Sequence, residues 1–233
     1  MNDRAATNDG AVMNDGAVMN DWAALPEADD VLAATHALAE ALENRAPSAE
    51  ELRARAGSLT WSCASTLAHI DDAVLWYAGN LATRSTVDMA APFLSPRRPP
   101  DYLVSCLRTS GALLATAVRD APTEARGYHS WGRPDRSGFA AMGCDEILVH
   151  GWDLSQGLGF DFTPPPAAVE RTLRRIFPWA PEAAEADPWD ALLWANGRVP
   201  LGDRRPEKRW LWHNEPLAEW NGEVRRPKPR RRG

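Results

Sequence analysis

The stretch from residue 62 to residue 82 constrains the fold most, because its apolar residues recur at the spacing of a helix that packs in a bundle. These residues are separated by three and four positions in turn, and they are Leu67, Ile70, Val74, Tyr77 and Leu81. Such a spacing forms one stripe along a helix and is typical of the seam between bundle helices. The stretch therefore predicts a helix that needs partner helices to cover its stripe.

Three further segments have the same amphipathic character, at residues 28–44, 101–121 and 139–156. In the segment 101–121 we expect Leu113 and its apolar neighbours to face inward. The intervening stretch 90–100 contains four prolines, so it cannot form a regular element and is interpreted as a long crossover connection. Four amphipathic helices with one long crossover predict a four-helix bundle over residues 25–160.

Residues 161–224 predict a small tryptophan-rich appendage of mixed α+β structure. Six of the eleven tryptophans lie between Trp179 and Trp220. Helical spacing indicates short helices at 166–177 and 189–196. The alternating Trp-Leu-Trp at 210–212 indicates a strand. The expected fold class is therefore mainly α, a four-helix bundle with this appendage.

Both ends of the chain are expected to be disordered. Residues 1–24 repeat a unit that begins Asn-Asp-Gly and hold few large apolar side chains. Residues 225–233 contain six basic residues, which indicates a solvated tail. Because the net charge is −6 even with this tail, the body is acidic, which argues against nucleic acid as a partner.

Composition also bears on the location of the protein. The sequence contains no run of 18 apolar residues and no basic segment followed by an apolar one at its start, so neither a membrane span nor a secretory signal is expected. The three cysteines, Cys63, Cys106 and Cys144, are expected to be small apolar core residues in a reducing cytoplasm. We expect a cytoplasmic monomer or homodimer.

The helix over 139–156 carries the residues with the clearest chemical potential. Glu146 and His150 are four positions apart, so they project from one face, and Asp153 lies close to that face. His69 on the helix 62–82 lies away from the centre of the apolar stripe, in a position that suits a side chain reaching into a pocket between helices. Two histidines and one glutamate would form a three-ligand site with an open fourth position, as in catalytic zinc sites. Asp153 could fix the tautomer of an imidazole or cap a neighbouring backbone group.

The same residues allow an ordinary interpretation. A glutamate and a histidine four positions apart are common on helices that bind no metal, and the facing geometry of His69 is inferred only from the bundle. The sequence has no glycine-rich phosphate loop, no nucleophile elbow and no paired-cysteine zinc motif.

Two of these stretches resemble a known family. Trp61 precedes a helix that contains Leu-Ala-His ending at His69, and Glu146 begins the sequence Glu-Ile-Leu-Val-His-Gly-Trp-Asp-Leu that ends at Leu154. Their order and separation resemble the DinB-like superfamily and, more narrowly, the family of mycothiol-dependent maleylpyruvate isomerases and mycothiol transferases.

The resemblance implies a DinB-like bundle with a divalent metal, usually zinc, held by His69, Glu146 and His150. It also implies mycothiol, the low-molecular-weight thiol of actinobacteria, as a co-substrate, and the arginine-rich composition fits such a source. Nickel or iron remains open as the metal. A catalytic arginine used by the family cannot be placed by any motif of this chain.

The expected function is that of a metal-dependent mycothiol transferase or thiol-dependent isomerase, in which a thiolate attacks an activated small molecule. Asp153 is the expected supporting residue of the catalytic site. Trp131, Trp152 and the C-terminal tryptophans are candidates for the pocket wall, which would favour a larger, flatter and more apolar substrate. The alternatives are a metalloenzyme of another class on the same bundle, such as a hydrolase, cyclase or lyase, and a non-catalytic ligand-binding module.

Overall fold

Three of the helices described here follow a residue whose side chain satisfies free backbone N–H groups. The computed structural model describes residues 25–90, 93–181, 185–208, 211–224 and 226. Its helices are α1 (Ala28–Arg45), α2 (Cys63–Thr83), α3 (Pro100–Asp120), α4 (Arg136–Leu158), α5 (Pro166–Ile176) and α6 (Pro188–Ala195). Before α2, Ser62 Oγ accepts a hydrogen bond from the Ser65 backbone at 3.1 Å. Before α4, Asp135 Oδ1 accepts one from the Gly138 backbone at 2.8 Å, so this helix begins three residues earlier than its apolar spacing indicated.

The first four helices form the predicted bundle. Helices α1 and α2 each contact both α3 and α4, so α1 and α2 lie diagonally opposite each other. The crossover between α2 and α3 is fixed to α2 at two points. Trp76 Nε1 donates to the Met89 carbonyl at 2.6 Å, and Asp72 Oδ1 accepts from the Leu94 backbone at 2.7 Å.

The apolar seam predicted for α2 is confirmed, because all five of its residues are at most 4% exposed. The expectation for Leu113 on α3 is wrong, since this side chain is 48% exposed. The next residue, Leu114, is fully buried. Consecutive helical residues point about 100° apart, so Leu114 takes the core position and Leu113 faces outward.

The appendage is helical and irregular in its described part. Helix α5 packs on α4, and α6 packs on α5. Among the described residues of 161–224 there is no strand, so the α+β expectation is wrong there; Trp210 lies outside the described residues. Instead of pairing with an extended neighbour, the backbone near Trp212 bonds to the end of α5, where His213 N donates to the Ile176 carbonyl at 3.0 Å.

A fully buried arginine joins this C-terminal segment to the bundle. Arg175 on α5 donates to Ser137 Oγ at 2.8 Å, to Asp135 Oδ1 at 3.0 Å and to the His213 carbonyl at 3.0 Å. These bonds link α5, the start of α4 and the segment that follows residue 210. The predicted disorder of 1–24 and of most of 225–233 lies outside the described residues. None of the helices in the described ranges is long and apolar enough to span a bilayer.

The close contact between α4 and the loop before α2 can be tested at Gly157. A Cβ atom there would collide with the Arg55 carbonyl oxygen and the Cys63 sulfur. We expect Gly157→Ala to lower the free energy of unfolding by about 2 kcal/mol, as overpacked sites do. The measurement is urea unfolding followed by circular dichroism.

Gly79 on α2 provides the matched control, because a Cβ atom there meets nothing within 4 Å. Gly79→Ala should raise stability by about 0.5–1 kcal/mol through helix propensity alone. Equal effects of the two substitutions would contradict the close packing at Gly157.

Candidate metal centre

The packing of α2 against α4 brings the three residues expected to form a site together. Glu146 Oε2 lies 3.3 Å from His69 Nε2 and 3.3 Å from His150 Nε2. One ligand atom from each residue lies within 4.8 Å of the others. The two imidazole rings are nearly perpendicular, with centroids 5.3 Å apart. The side chains of Glu146 and His150 are only 12% exposed, whereas that of His69 is 37% exposed, so the site opens on the His69 side.

The donor set fits a divalent metal. Zinc is bound by imidazole nitrogen and carboxylate oxygen at about 2.0–2.1 Å, and two ligands of a tetrahedral ion at that distance lie about 3.3 Å apart. The separations from Glu146 Oε2 to both imidazole nitrogens have this value. Three protein ligands leave one position of a tetrahedron open, as catalytic zinc sites require.

Neighbouring side chains orient two of the three residues. Asp153 Oδ2 lies 2.9 Å from His150 Nδ1, so a proton on Nδ1 is held by the carboxylate and Nε2 is directed to the centre. The Tyr77 hydroxyl donates to Glu146 Oε1 at 3.1 Å, which leaves Oε2 for the two histidines. Asp153 therefore lies where the sequence placed it, one turn beyond His150, and contacts that imidazole.

An arginine from the appendage, to which no sequence motif pointed, completes this arrangement. Arg198 follows α6 and donates to Asp153 Oδ2 at 2.7 Å and Oδ1 at 3.1 Å. Its remaining nitrogen donates to the Asn196 carbonyl at 2.8 Å. Asn196 in turn donates to the buried Asp145 Oδ1 at 2.8 Å. Arg198 is 45 residues from Asp153 in sequence, and only the packing of the appendage brings them together.

Glu146, His150 and Asp153 stay charged although they are buried, because each is hydrogen-bonded to a group of opposite charge. Burial alone would raise the pKa of Glu146, but hydrogen bonds to His150 and His69 outweigh it and lower that pKa well below its usual range. Burial would lower the pKa of His150, yet the bonds to Asp153 and Glu146 raise it to about 9. Burial likewise opposes the charge of Asp153, whose pKa is lowered by His150 and Arg198. Without a metal, His150 is therefore protonated at neutral pH.

Two further groups near the centre have raised pKa values. Burial raises the pKa of Asp145 to about 7, and the charge of Glu146 adds to the effect. Burial and the adjacent Glu146 also raise the pKa of Tyr77 well above its usual value. Tyr77 therefore stays a neutral hydrogen-bond donor to Glu146 at physiological pH.

A cluster of aromatic rings continues from Tyr77 away from Glu146. The ring of His129 lies 6.1 Å from that of Tyr77, 5.4 Å from that of Trp131 and 6.0 Å from that of Trp212. Trp131 and Trp212 also contact each other, with centroids 5.3 Å apart. Of the tryptophans expected in a pocket wall, these two belong to the cluster around His129, which reaches Glu146 only through Tyr77. Trp152 is half-buried on α4 and is not among the rings that meet around His129 in the described part of the chain.

None of the three cysteines is suited to act as a nucleophile. Burial raises the pKa of Cys63 to about 11, and it raises those of Cys144 and Cys106 as well. All three thiols are free, and they are protonated at neutral pH. Cys63 and Cys144 are fully buried, as expected, whereas Cys106 is half-buried.

Comparison with known proteins identifies the family. A family model described as the mycothiol maleylpyruvate isomerase N-terminal domain matches residues 31–155, more than half of the chain. The chain belongs to this family. Membership identifies the protein as an enzyme and agrees with the mainly α bundle and with the resemblance carried by the His69 and Glu146 stretches.

The fold is also similar to solved structures. A crystal structure of the mycothiol-dependent maleylpyruvate isomerase matches with a TM-score of 0.54 and 15% identity, over 79% of this chain and 97% of that chain. A structure of a histidine-to-alanine mutant of such an isomerase matches with a TM-score of 0.46 and 16% identity, over 62% of this chain and 67% of that chain. At these identities the likeness concerns the fold alone. No curated protein matches the chain.

The contact between Arg198 and Asp153 predicts a large loss of stability in Arg198→Ala. The Asp153 side chain is fully buried, and removing Arg198 takes away one of its two charged partners and leaves only the contact with His150. We expect the free energy of unfolding to fall by about 3 kcal/mol. Urea unfolding of the metal-free protein measures it.

Arg204→Ala is the control, since Arg204 is exposed and lies 3.7 Å from an exposed Glu185. This substitution should change stability by less than about 0.5 kcal/mol. A loss in Arg198→Ala no larger than that of the control would show that the Arg198–Asp153 contact does not support the centre.

Proposed function

We propose that this protein is a metal-dependent enzyme that uses mycothiol to act on an activated small molecule, as a thiol transferase or a thiol-dependent isomerase. The observation that carries the proposal is the convergence of His69, Glu146 and His150 on one point in a member of this family. Zinc is the metal we propose, because its preferred distances and ligand types fit this donor set.

His69, Glu146 and His150 would hold the metal. When bound, a divalent metal lowers the pKa of a coordinated thiol and so provides a thiolate at neutral pH. Asp153 keeps the His150 proton on Nδ1, and Arg198 keeps Asp153 charged and in place. Tyr77 holds Glu146 through its other oxygen. These residues fix the geometry before the substrate arrives, which is how such sites lower a barrier.

The nucleophile must come from outside the chain. The cysteines of the protein are protonated at neutral pH, as their raised pKa values require, and none belongs to the candidate centre. A small thiol can approach through the side where His69 is partly exposed. The three free cysteines also suit a reducing compartment, which supports a cytoplasmic location.

Both proposed reactions begin with the same step. The thiolate sulfur donates an electron pair to form a C–S bond at the far carbon of a double bond conjugated to a carbonyl. The π electrons of that double bond move to the carbonyl oxygen and give an enolate. If rotation follows and the C–S bond breaks, with its electrons returning to sulfur, the product is the geometric isomer. If the enolate instead takes a proton from solvent, the thiol adduct remains.

Metal binding should depend on pH and on His150. Because the raised pKa keeps His150 protonated below about pH 9, a metal must displace that proton. We therefore expect the apparent affinity for zinc to rise about tenfold per pH unit and to level off near pH 9. Titration with zinc against a competing chelator measures this affinity.

Substitution of a ligand provides the control for that titration. His150→Ala should weaken zinc binding at least about 100-fold. His36→Ala, which removes an exposed histidine on α1, should leave it unchanged. A wild-type protein without stoichiometric zinc would contradict the proposal.

Dependence on a thiol distinguishes the proposed reaction from other metal-catalysed reactions. We expect zinc-loaded enzyme to isomerise activated alkenes, or to add thiol to them, only when mycothiol is present, and to lose this activity when the metal is removed. The assay follows the loss of alkene absorbance with and without mycothiol. Turnover without any thiol would overturn the proposal and favour a hydrolase, cyclase or lyase. Unaltered function in His69→Ala would favour a non-catalytic binding module.

A further inference from the structure

A large aromatic side chain lies exposed directly against the candidate centre. The ring of Trp61 has its centroid 4.8 Å from that of His69 and 6.2 Å from that of His150. Nevertheless Trp61 is 44% exposed, one of the most exposed large apolar residues in the described chain. The indole meets the His69 ring edge-on, at an interplanar angle of 62°, and still leaves nearly half of its surface open to a ligand.

Backbone contacts hold Trp61 in this position. The Cys63 backbone donates to the Ala54 carbonyl at 2.8 Å, and the Ala56 backbone donates to the Trp61 carbonyl at 3.1 Å. The loop closed by these bonds packs on α4. At its turn Gly57 adopts a φ of +53°, and a Cβ atom there would lie 3.5 Å from Asp153. The loop backbone that carries Trp61 is therefore fixed relative to the centre, and a ligand that packs on the indole does not have to order this loop.

Further aromatic rings lie beyond the other oxygen of Glu146, but they are largely buried. One oxygen of Glu146 faces the two histidines, which Trp61 contacts, and the other accepts from Tyr77. From Tyr77 the aromatic cluster continues to His129, as described above. The aromatic surface open to a ligand at the centre is therefore that of the Trp61 indole, and an exposed indole favours flat, weakly polar ligands.

The charges around the centre are unfavourable for a substrate with several carboxylates. Arg198, the arginine that contacts Asp153 behind His150, has its three nitrogens directed to Asp153 and Asn196. Asp72, one turn along α2 from His69, and the buried Asp145 add acidic groups. A substrate carboxylate would therefore have to compete with Asp153 for Arg198, at a cost in unpaired buried charge.

We infer that the electrophile used at this site is a planar, uncharged, unsaturated carbonyl compound whose flat face stacks on Trp61, rather than a small dicarboxylate. This inference rests on the proposed thiol addition for the reaction, but the stacking itself requires no thiol. Trp61 determines specificity by binding the substrate next to the position where the thiol sulfur is held.

Binding of two probes to the zinc-loaded protein without thiol tests the inference. Benzylideneacetone is a planar uncharged enone, and maleate is a small cis-dicarboxylate. By isothermal titration calorimetry, we expect benzylideneacetone to bind at least tenfold more tightly than maleate. Trp61→Leu should weaken benzylideneacetone binding roughly tenfold, because it removes the stacking face, whereas Trp61→Phe should stay within about threefold of wild type.

Tyr102→Leu is the matched control. Tyr102 lies on α3 against Arg98. It is 45% exposed, nearly the same as Trp61 at 44%. This substitution should leave the binding of both probes unchanged. Circular dichroism and zinc content of each variant show whether the centre is intact, so that a folding defect is not taken for a loss of stacking.

The outcomes separate this inference from the proposed function. The role of Trp61 is overturned if maleate binds more tightly than the enone, or if Trp61→Leu binds the enone as tightly as wild type does. Either result holds whether or not thiol addition occurs. Enone binding that depends on Trp61, together with no thiol addition to any alkene, supports the stacking site and contradicts the proposed reaction. Trp61-dependent binding together with mycothiol addition to the enone supports both.

Discussion

The charge of Glu146 is the feature on which the rest of the centre depends. This carboxylate lies inside the bundle, where burial alone would favour its neutral form, and it stays charged because the imidazoles of His69 and His150 lie 3.3 Å from one oxygen. A buried charge of this kind is tolerated only when it is paired and hydrogen-bonded. Here the partners come from two helices, so α2 and α4 must pack in one register for the carboxylate to be satisfied. The same register creates the three-ligand geometry that suits a metal.

The appendage supports the centre as well as closing the fold. Arg198 pairs with Asp153 behind His150, and the fully buried Arg175 fixes the segment that brings Trp212 to the aromatic cluster. Both arginines lie beyond the residues that the family model matches. Changes in the C-terminal segment can therefore alter the contacts of Asp153 and the aromatic cluster without changing His69, Glu146 or His150.

The local patterns in the sequence were sufficient for most of the fold. The seam of α2 was predicted residue by residue, since a stripe with helical spacing has only one side that can be buried. Patterns failed where burial depends on a distant partner. Leu113 and Leu114 were both expected inside, yet only Leu114 is buried. The segment around Trp212 was expected to be a strand, yet its backbone bonds to the end of α5. The centre was predicted as a set of residues, without its contacts to Tyr77 and Arg198.

The sequence by itself determined the bundle and the common face of Glu146 and His150, because helical periodicity and the spacing of these two residues are local properties of the chain. His69 on another helix was expected to join them from the bundle and from the family resemblance. Only the tertiary structure decided which groups surround them. Arg198 reaches Asp153 across 45 residues, and Trp61 lies next to His69 because a tight loop packs against α4. Such contacts depend on how helices and loops pack in space, which no spacing along the chain encodes. The residue types that form the centre can therefore be read from the sequence, whereas their charge states and the surface beside them depend on the fold.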